Sequence, residues 1–127
     1  MSHFTTIKTQ IRDIGALRAA CEELKFPLLT NTSARGYVGQ TLKGEFVIKL
    51  NGPYDVAVNS QPDGSFGLSS DEWHSHVERE LGKDYGKLLQ LYGVHKATLE
   101  ARKKGLSVQR RAQPNGSIKL VLMGGAL

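Results

Sequence analysis

Hydrophobic and polar residues alternate from the start of the chain. Phe4, Thr6, Lys8 and Gln10 fall on one side and Thr5, Ile7, Thr9 and Ile11 on the other, a period of two that predicts an amphipathic strand. The period then changes. Ile14, Leu17, Ala20, Cys21 and Leu24 recur at helical spacing behind Asp13, a good N-cap, until Phe26-Pro27 stops the run. Residues 27–42 lose the pattern: Asn31-Thr32-Ser33 and the glycines at 36, 39 and 44 read as turns, with a short strand around Tyr37. The run from Glu45 to Leu50 reads as a strand, Asn51-Gly52-Pro53 as a turn, and the run from Tyr54 to Asn59 as a second strand with Tyr54, Val56 and Val58 on one face.

Gln61-Pro62-Asp63-Gly64-Ser65 and Gln113-Pro114-Asn115-Gly116-Ser117 share their turn chemistry and predict two hairpin tips. Common turn physics explains the echo better than an internal repeat. Between them, Ser69 with Glu72 fits a capping box that opens the main helical region, and Trp73, Val77 and Leu81 form one buried stripe. Gly82 breaks or bends the run. Tyr85, Leu88, Leu89, Tyr92 and Leu99 continue an apolar face until Arg102-Lys103-Lys104-Gly105 ends the helix. A last hairpin pairs residues 106–112 with 117–123. With Gln113 opposite Ser117, Val108, Ala112, Ile118, Leu120 and Leu122 face the core, and Gln109, Arg111, Lys119 and Val121 face outward. The order predicts an α+β fold: one domain over residues 1–127, with helices packed on one face of a mainly antiparallel sheet.

At 127 residues the chain is long enough to bury a core without disulfides or metal. No apolar run approaches the ~20 residues needed to cross a bilayer, so membrane insertion is not expected. A strand starting at residue 2 or 3 leaves little room for a targeting segment, and the single cysteine fits a reducing compartment. The expected setting is the cytoplasm, a plastid stroma or that of a virus-encoded intracellular protein. Cys21 lies on the apolar stripe of its helix and reads as a buried, inert thiol rather than a nucleophile. Seventeen basic against twelve acidic residues give a formal charge of +5, which permits contact with nucleic acid or an acidic protein face.

Candidate chemistry is sparse. His74 and His76, with Glu78 and Glu80 behind them, form the nearest approach to a metal cluster. On a helix, however, residues two apart point about 200° apart, so the histidines read as surface partners in i,i+4 polar pairs. No metal or cofactor is expected. His3 could face Asp55 or another carboxylate as an acid-base pair, the sole motive for an enzymatic reading. Arg35-Gly36-Tyr37-Val38-Gly39-Gln40 could place backbone N–H groups near an anion, but it lacks the lysine-hydroxyl pair of a P-loop. Arg102, Lys103, Lys104, Arg110, Arg111 and Lys119 could form one basic patch for RNA or DNA, although the aromatics that would stack bases lie mostly on core-facing stripes.

Four strings carry a resemblance: Ser2-His3-Phe4-Thr5 with Ile7-Lys8-Thr9-Gln10-Ile11; Arg35-Gly36-Tyr37-x-Gly39-Gln40; Tyr54-Asp55-Val56; and Gly116-Ser117-Ile118-Lys119-Leu120-Val121. By these the chain resembles the hypothetical chloroplast reading frame thirty-five family, small uncharacterised proteins of algal plastids, cyanobacteria and other bacteria. It departs from that pattern at Asp71-Glu72-Trp73-His74, where the family has a tryptophan-rich stretch, and at its last four residues, as a divergent member would. The resemblance supplies no reaction, cofactor or catalytic residue. It implies proximity to an ATPase and other small proteins, as for an adaptor, and it ranks the 35–40 string first as a binding loop. The resulting expectation is a non-catalytic accessory or adaptor protein that meets a protein partner through Arg35, Tyr37, Gln40 and Trp73. The alternative is a nucleic-acid-binding domain using the basic helix end and hairpin.

Overall fold

The computed structural model describes residues 4–124. The elements are β1 (Phe4–Lys8), α1 (Ile14–Leu24), β2 (Leu28–Arg35), β3 (Thr41–Ile48), β4 (Val56–Ser60), β5 (Phe66–Asp71), α2 (His76–Leu81), α3 (Gly86–Lys103), β6 (Ser107–Ala112) and β7 (Ile118–Met123). Short 3-10 turns occupy Tyr37–Gly39, Trp73–Ser75 and Lys83–Tyr85. Five strands form one antiparallel sheet in the order β1-β5-β4-β3-β2, and β6 and β7 form a separate ribbon. This is the expected α+β class.

The period-two pattern decides which face of the sheet is covered. Ile7, Ile48, Val56, Val58 and Leu68 point to one side, where Leu17 and Cys21 of α1, Val77 and Leu81 of α2, and Leu88, Leu91 and Tyr92 of α3 complete the main core. Asp13 caps α1 as expected, accepting the Ala16 amide at 3.1 Å. Tyr92 ties α3 to that cap, because its hydroxyl accepts the backbone N–H groups of Arg12 and Asp13 at 3.1 and 3.2 Å. Tyr92→Phe leaves both donors to find another acceptor and is expected to cost about 1–2 kcal/mol in urea unfolding. A loss below about 0.3 kcal/mol would show that water replaces the hydroxyl. Cys21 is fully buried, and desolvation pushes its thiol up to about 12.

The opposite face carries a second, smaller cluster of Ala34, Val47 and Ala57 with Phe4 and Leu42. Strand parity alone would put Leu42 with Phe46 and Ile48 on the main core. The β2–β3 hairpin is instead kinked at Asn31, whose φ is +47, and at Gly44, where a Cβ would collide with the Phe46 carbonyl oxygen. Beyond the kink, Ala34 and Leu42 serve the second cluster, and Arg35 arrives beside Asp55 of the segment before β4.

The turns at 61–65 and 113–117 share one geometry. Asp63 and Asn115 each accept the amide and hydroxyl of the serine two residues on, and Gly64 and Gly116 both take φ +87, a value that favours glycine. The β6–β7 register also follows expectation, with Ala112 opposite Ile118 and Val108 opposite Leu122.

Four expectations are corrected. Residues 28–35, read as turns, form a strand of eight residues at the edge of the sheet, whose exposed Thr30, Asn31 and Ser33 leave no alternating apolar signal. The short strand around Tyr37 is a 3-10 turn. The Ser69–Glu72 capping box does not form, because Ser69 and Ser70 are buried in β5, where Ser69 meets the Thr6 hydroxyl at 2.6 Å and Ser70 hydrogen-bonds the Tyr85 hydroxyl. Pairing with β1 and β4 outweighs the local capping preference. The inner face of the hairpin is also only partly covered: Ile118 packs on the core, whereas Ala112 and Leu122 are exposed.

Candidate partner-binding site

Two buried carboxylates organise one end of the sheet. Asp55 Oδ2 accepts the Arg35 amide at 3.0 Å and its Nε at 2.8 Å, and Oδ1 accepts Arg35 Nη2 at 2.8 Å and the Leu50 amide at 3.2 Å. Nη2 also donates to the carbonyls of Gly52 at 2.9 Å and Leu50 at 3.3 Å. Arg35 thus staples the bent hairpin to the loop before β4. Burial pushes the Asp55 carboxyl up, but the hydrogen bonds from Arg35 and Leu50 outweigh it and hold the group below the usual carboxylate range.

Asp71, at the end of β5 and fully buried, accepts the Tyr37 amide on Oδ2 at 3.0 Å and the Trp73 amide on Oδ1 at 2.9 Å. One side chain therefore fixes the loops on both sides of it. Their rings meet, with Tyr37 and Trp73 centroids 5.2 Å apart and tilted by 60°. From Trp73 a run of rings continues through His74 at 4.7 Å and His76 at a further 6.0 Å to Tyr54 at 4.9 Å. Val38, next to Tyr37 in the chain, is 77 % exposed with φ at +47, a costly conformation for a β-branched residue. Gln40 is exposed and closes the loop, its carbonyl accepting the Gly36 amide at 2.8 Å.

Three of the four strings that carried the resemblance meet here: Gly36 abuts the Phe4 ring, and Arg35 binds Asp55. The pattern of the family described as "Protein of unknown function (DUF1257)" matches residues 20–121. The chain belongs to the DUF1257 family. Over 134 residues it is also 25% identical to the uncharacterized protein ycf35 of Pyropia yezoensis, covering 96% of each chain. No solved structure matches it. This DUF1257 member is a divergent relative of ycf35, as the strings implied.

Within this DUF1257 chain the expected partner residues lie around the same end, in different states. Tyr37 and Trp73 touch, Gln40 is exposed on the same loop as Tyr37, and Arg35 spends its Nε and Nη2 donors on Asp55 and two carbonyls. Asp71, which holds the loops, stands in the string where the chain departs from the family pattern, and nothing local marks it as an anchor. His74 and His76 do not share a helix as expected. His74 sits in a 3-10 turn at φ +54 and His76 begins α2, so the kink turns both rings toward one side. Glu80 pairs with neither; it accepts the Asn51 and Gly52 amides at 2.8 and 3.0 Å. Among the described residues no three His, Cys, Asp or Glu side chains come together to hold a metal ion, and no helix is long and apolar enough to cross a membrane. His3 lies outside the described residues.

The expected basic patch is divided. Arg110 lies on the inner face of the hairpin, bonded through both terminal guanidinium nitrogens to Glu23 of α1 at 2.8 and 3.0 Å, with His95 2.8 Å from the same carboxylate. The Arg110 hydrogen bonds lead in holding Glu23 down to about 2. Arg111 and Lys119 are cross-strand neighbours on the outer face, and Lys103 reaches Glu100 at 3.5 Å. Arg102 and Lys104 are exposed at the end of α3.

Proposed function

We propose that the protein is a non-catalytic accessory or adaptor protein, working as one domain, whose protein partner seats on the ring-lined end of the sheet. Tyr37, Gln40 and Trp73 supply the contact, and the exposed guanidinium edge of Arg35 borders it. The observation that carries this reading is the exposed Val38 held at positive φ beside the Tyr37–Trp73 pair, on loops already fixed by Asp71. A surface ordered before binding loses little entropy on association, and aromatic side chains dominate such contacts. The resemblance points to an ATPase-containing assembly as the partner, in a cytoplasmic or stromal setting.

A photo-crosslinking residue at Val38 is expected to give a discrete partner adduct in the native host, and Trp73→Ala to weaken the purified complex by about 30-fold or more. A probe at exposed Lys43 is the control. Identical adducts from both positions, or an unchanged affinity with Trp73→Ala, would overturn the assignment.

The nucleic-acid alternative now rests on Arg102, Lys103, Lys104, Arg111 and Lys119, because Arg110 is held by Glu23. Arg111 directly opposite Lys119 is a like-charge pair that a bound anion would relieve. Binding to RNA or DNA that falls steeply with salt and is lost in Arg111→Ala with Lys119→Ala would put this reading first.

A further inference from the structure

The β6–β7 ribbon leaves both of its outer edges unpaired among the described residues; β6 carries Arg110 and Arg111, which guard its edge, and β7 is the more open of the two. Two-stranded ribbons are marginal alone, and this one is held by Arg110 on Glu23, by Gln90 on the Gly116 carbonyl at 3.0 Å and by Ile118 on the core. Its phase follows from the turn. The Gln113 amide bonds to the Ser117 carbonyl at 2.9 Å, so antiparallel alternation turns the backbone groups of Lys119, Val121 and Met123 toward β6. Those of Ile118, Leu120 and Leu122 point away from it. Among the described residues none of these outward groups has a hydrogen-bond partner.

The side chains along β7 make the edge adhesive. Leu122 is 57 % and Met123 44 % exposed, and Lys119 is the only charge between Ile118 and Met123. The β2 edge of the large sheet is better guarded, being polar and kinked at Asn31. Charge then selects the occupant. Lys119 and Arg111 share the outer face, and the cationic end of α3 leads directly into β6. A second copy of this chain would add another Lys119 and another +5 to the same ribbon.

We propose that β7 is a docking edge that takes an extended acidic segment of a partner protein as a third strand. Alternate residues of that segment are carboxylates on the outer face, where one lies beside Lys119 and is drawn also by Arg111 one strand further, and the intervening ones are apolar and cover Leu120 and Leu122. Backbone bonds to Ile118, Leu120 and Leu122 supply affinity, and the alternation supplies specificity. This edge is separate from the ring-lined surface, so Trp73→Ala leaves it intact.

The test is an NMR titration of the labelled full chain, with amide exchange, using a soluble peptide of about ten alternating Glu and Val residues and its Lys–Val counterpart. The expected result is exchange protection of the Ile118, Leu120 and Leu122 amides by the acidic peptide alone, weakening as salt rises. Lys119→Glu should reverse the preference between the peptides. Leu120→Pro removes an outward N–H without taking a bond from β6 and should weaken binding by about tenfold or more; Leu120→Val is the control for lost side-chain packing. Equal response to both peptides would overturn the proposal, as would shifts confined to the end of α3. So would protection of β7 that rises with protein concentration in the absence of peptide, which means pairing with a second copy. Preferential binding of a single-stranded oligonucleotide at Arg111 and Lys119, with β7 amides unprotected, would also overturn it.

Discussion

Asp55→Ala is expected to destabilise the protein by about 3 kcal/mol or more, measured as the shift in the urea midpoint at unchanged slope. The carboxylate is buried and accepts four hydrogen bonds, three of them from Arg35. Removing it leaves a half-buried guanidinium against the Leu50 and Gly52 carbonyls and frees the bent end of β2. Asp55→Asn keeps the shape but loses the charge and one of the two acceptor oxygens, so a smaller loss is expected. The sign of the pH dependence follows from the shift: the folded carboxyl titrates below its unfolded value near 3.8. The stability it contributes is therefore fully present above that value and is lost as pH falls through the folded value, and Asp55→Ala should flatten this acid limb. A wild-type loss with equal acid sensitivity in Asp55→Ala would place the linkage on other carboxylates, Glu23 first.

Asp71→Ala is expected to cost about 2–4 kcal/mol and to loosen the ring-lined end of the sheet. Two backbone amides, those of Tyr37 and Trp73, lose their acceptor in a place water reaches poorly. Trp73 is the only tryptophan, so its fluorescence reports on the site without a label. Its emission should shift toward the red and become more accessible to a neutral quencher as the contact with Tyr37 opens. Asp71→Asn keeps one acceptor oxygen and turns the other position into a donor. It should satisfy one amide and oppose the other, with about half the loss. Unchanged emission in Asp71→Ala would mean that the rings hold the loops without the carboxylate.

These two carboxylates connect fold to the proposed role. Asp55 fixes where the bent hairpin lands, and Asp71 fixes how its aromatic loop faces the turn after β5. A partner would then meet a surface already ordered, so mutations at Asp55 and Asp71 should weaken binding through stability and geometry, whereas Trp73→Ala should weaken it by lost contact.

Local pattern was enough for much of this chain. The period of two in β1 and β4, the helical stripe and Asp13 cap of α1, the break at Gly82 and the mirrored turns at 64 and 116 were all legible, because each is decided by residues a few positions apart. The family was legible for the same reason, in short strings. Tertiary structure decided the rest. Ser69-Ser70-Asp71 can cap a helix or end a strand, and only neighbours 63 residues away, such as Thr6, select the strand. Edge strand β2 has no apolar alternation because Leu29 to Asn31 and Ser33 are exposed. Arg35 with Asp55, Tyr37 with Trp73, and Arg110 with Glu23 lie 20, 36 and 87 positions apart. Which of several available opposite charges or rings a side chain meets depends on how the hairpin bends and where the helices pack, and a one-dimensional pattern does not encode that choice.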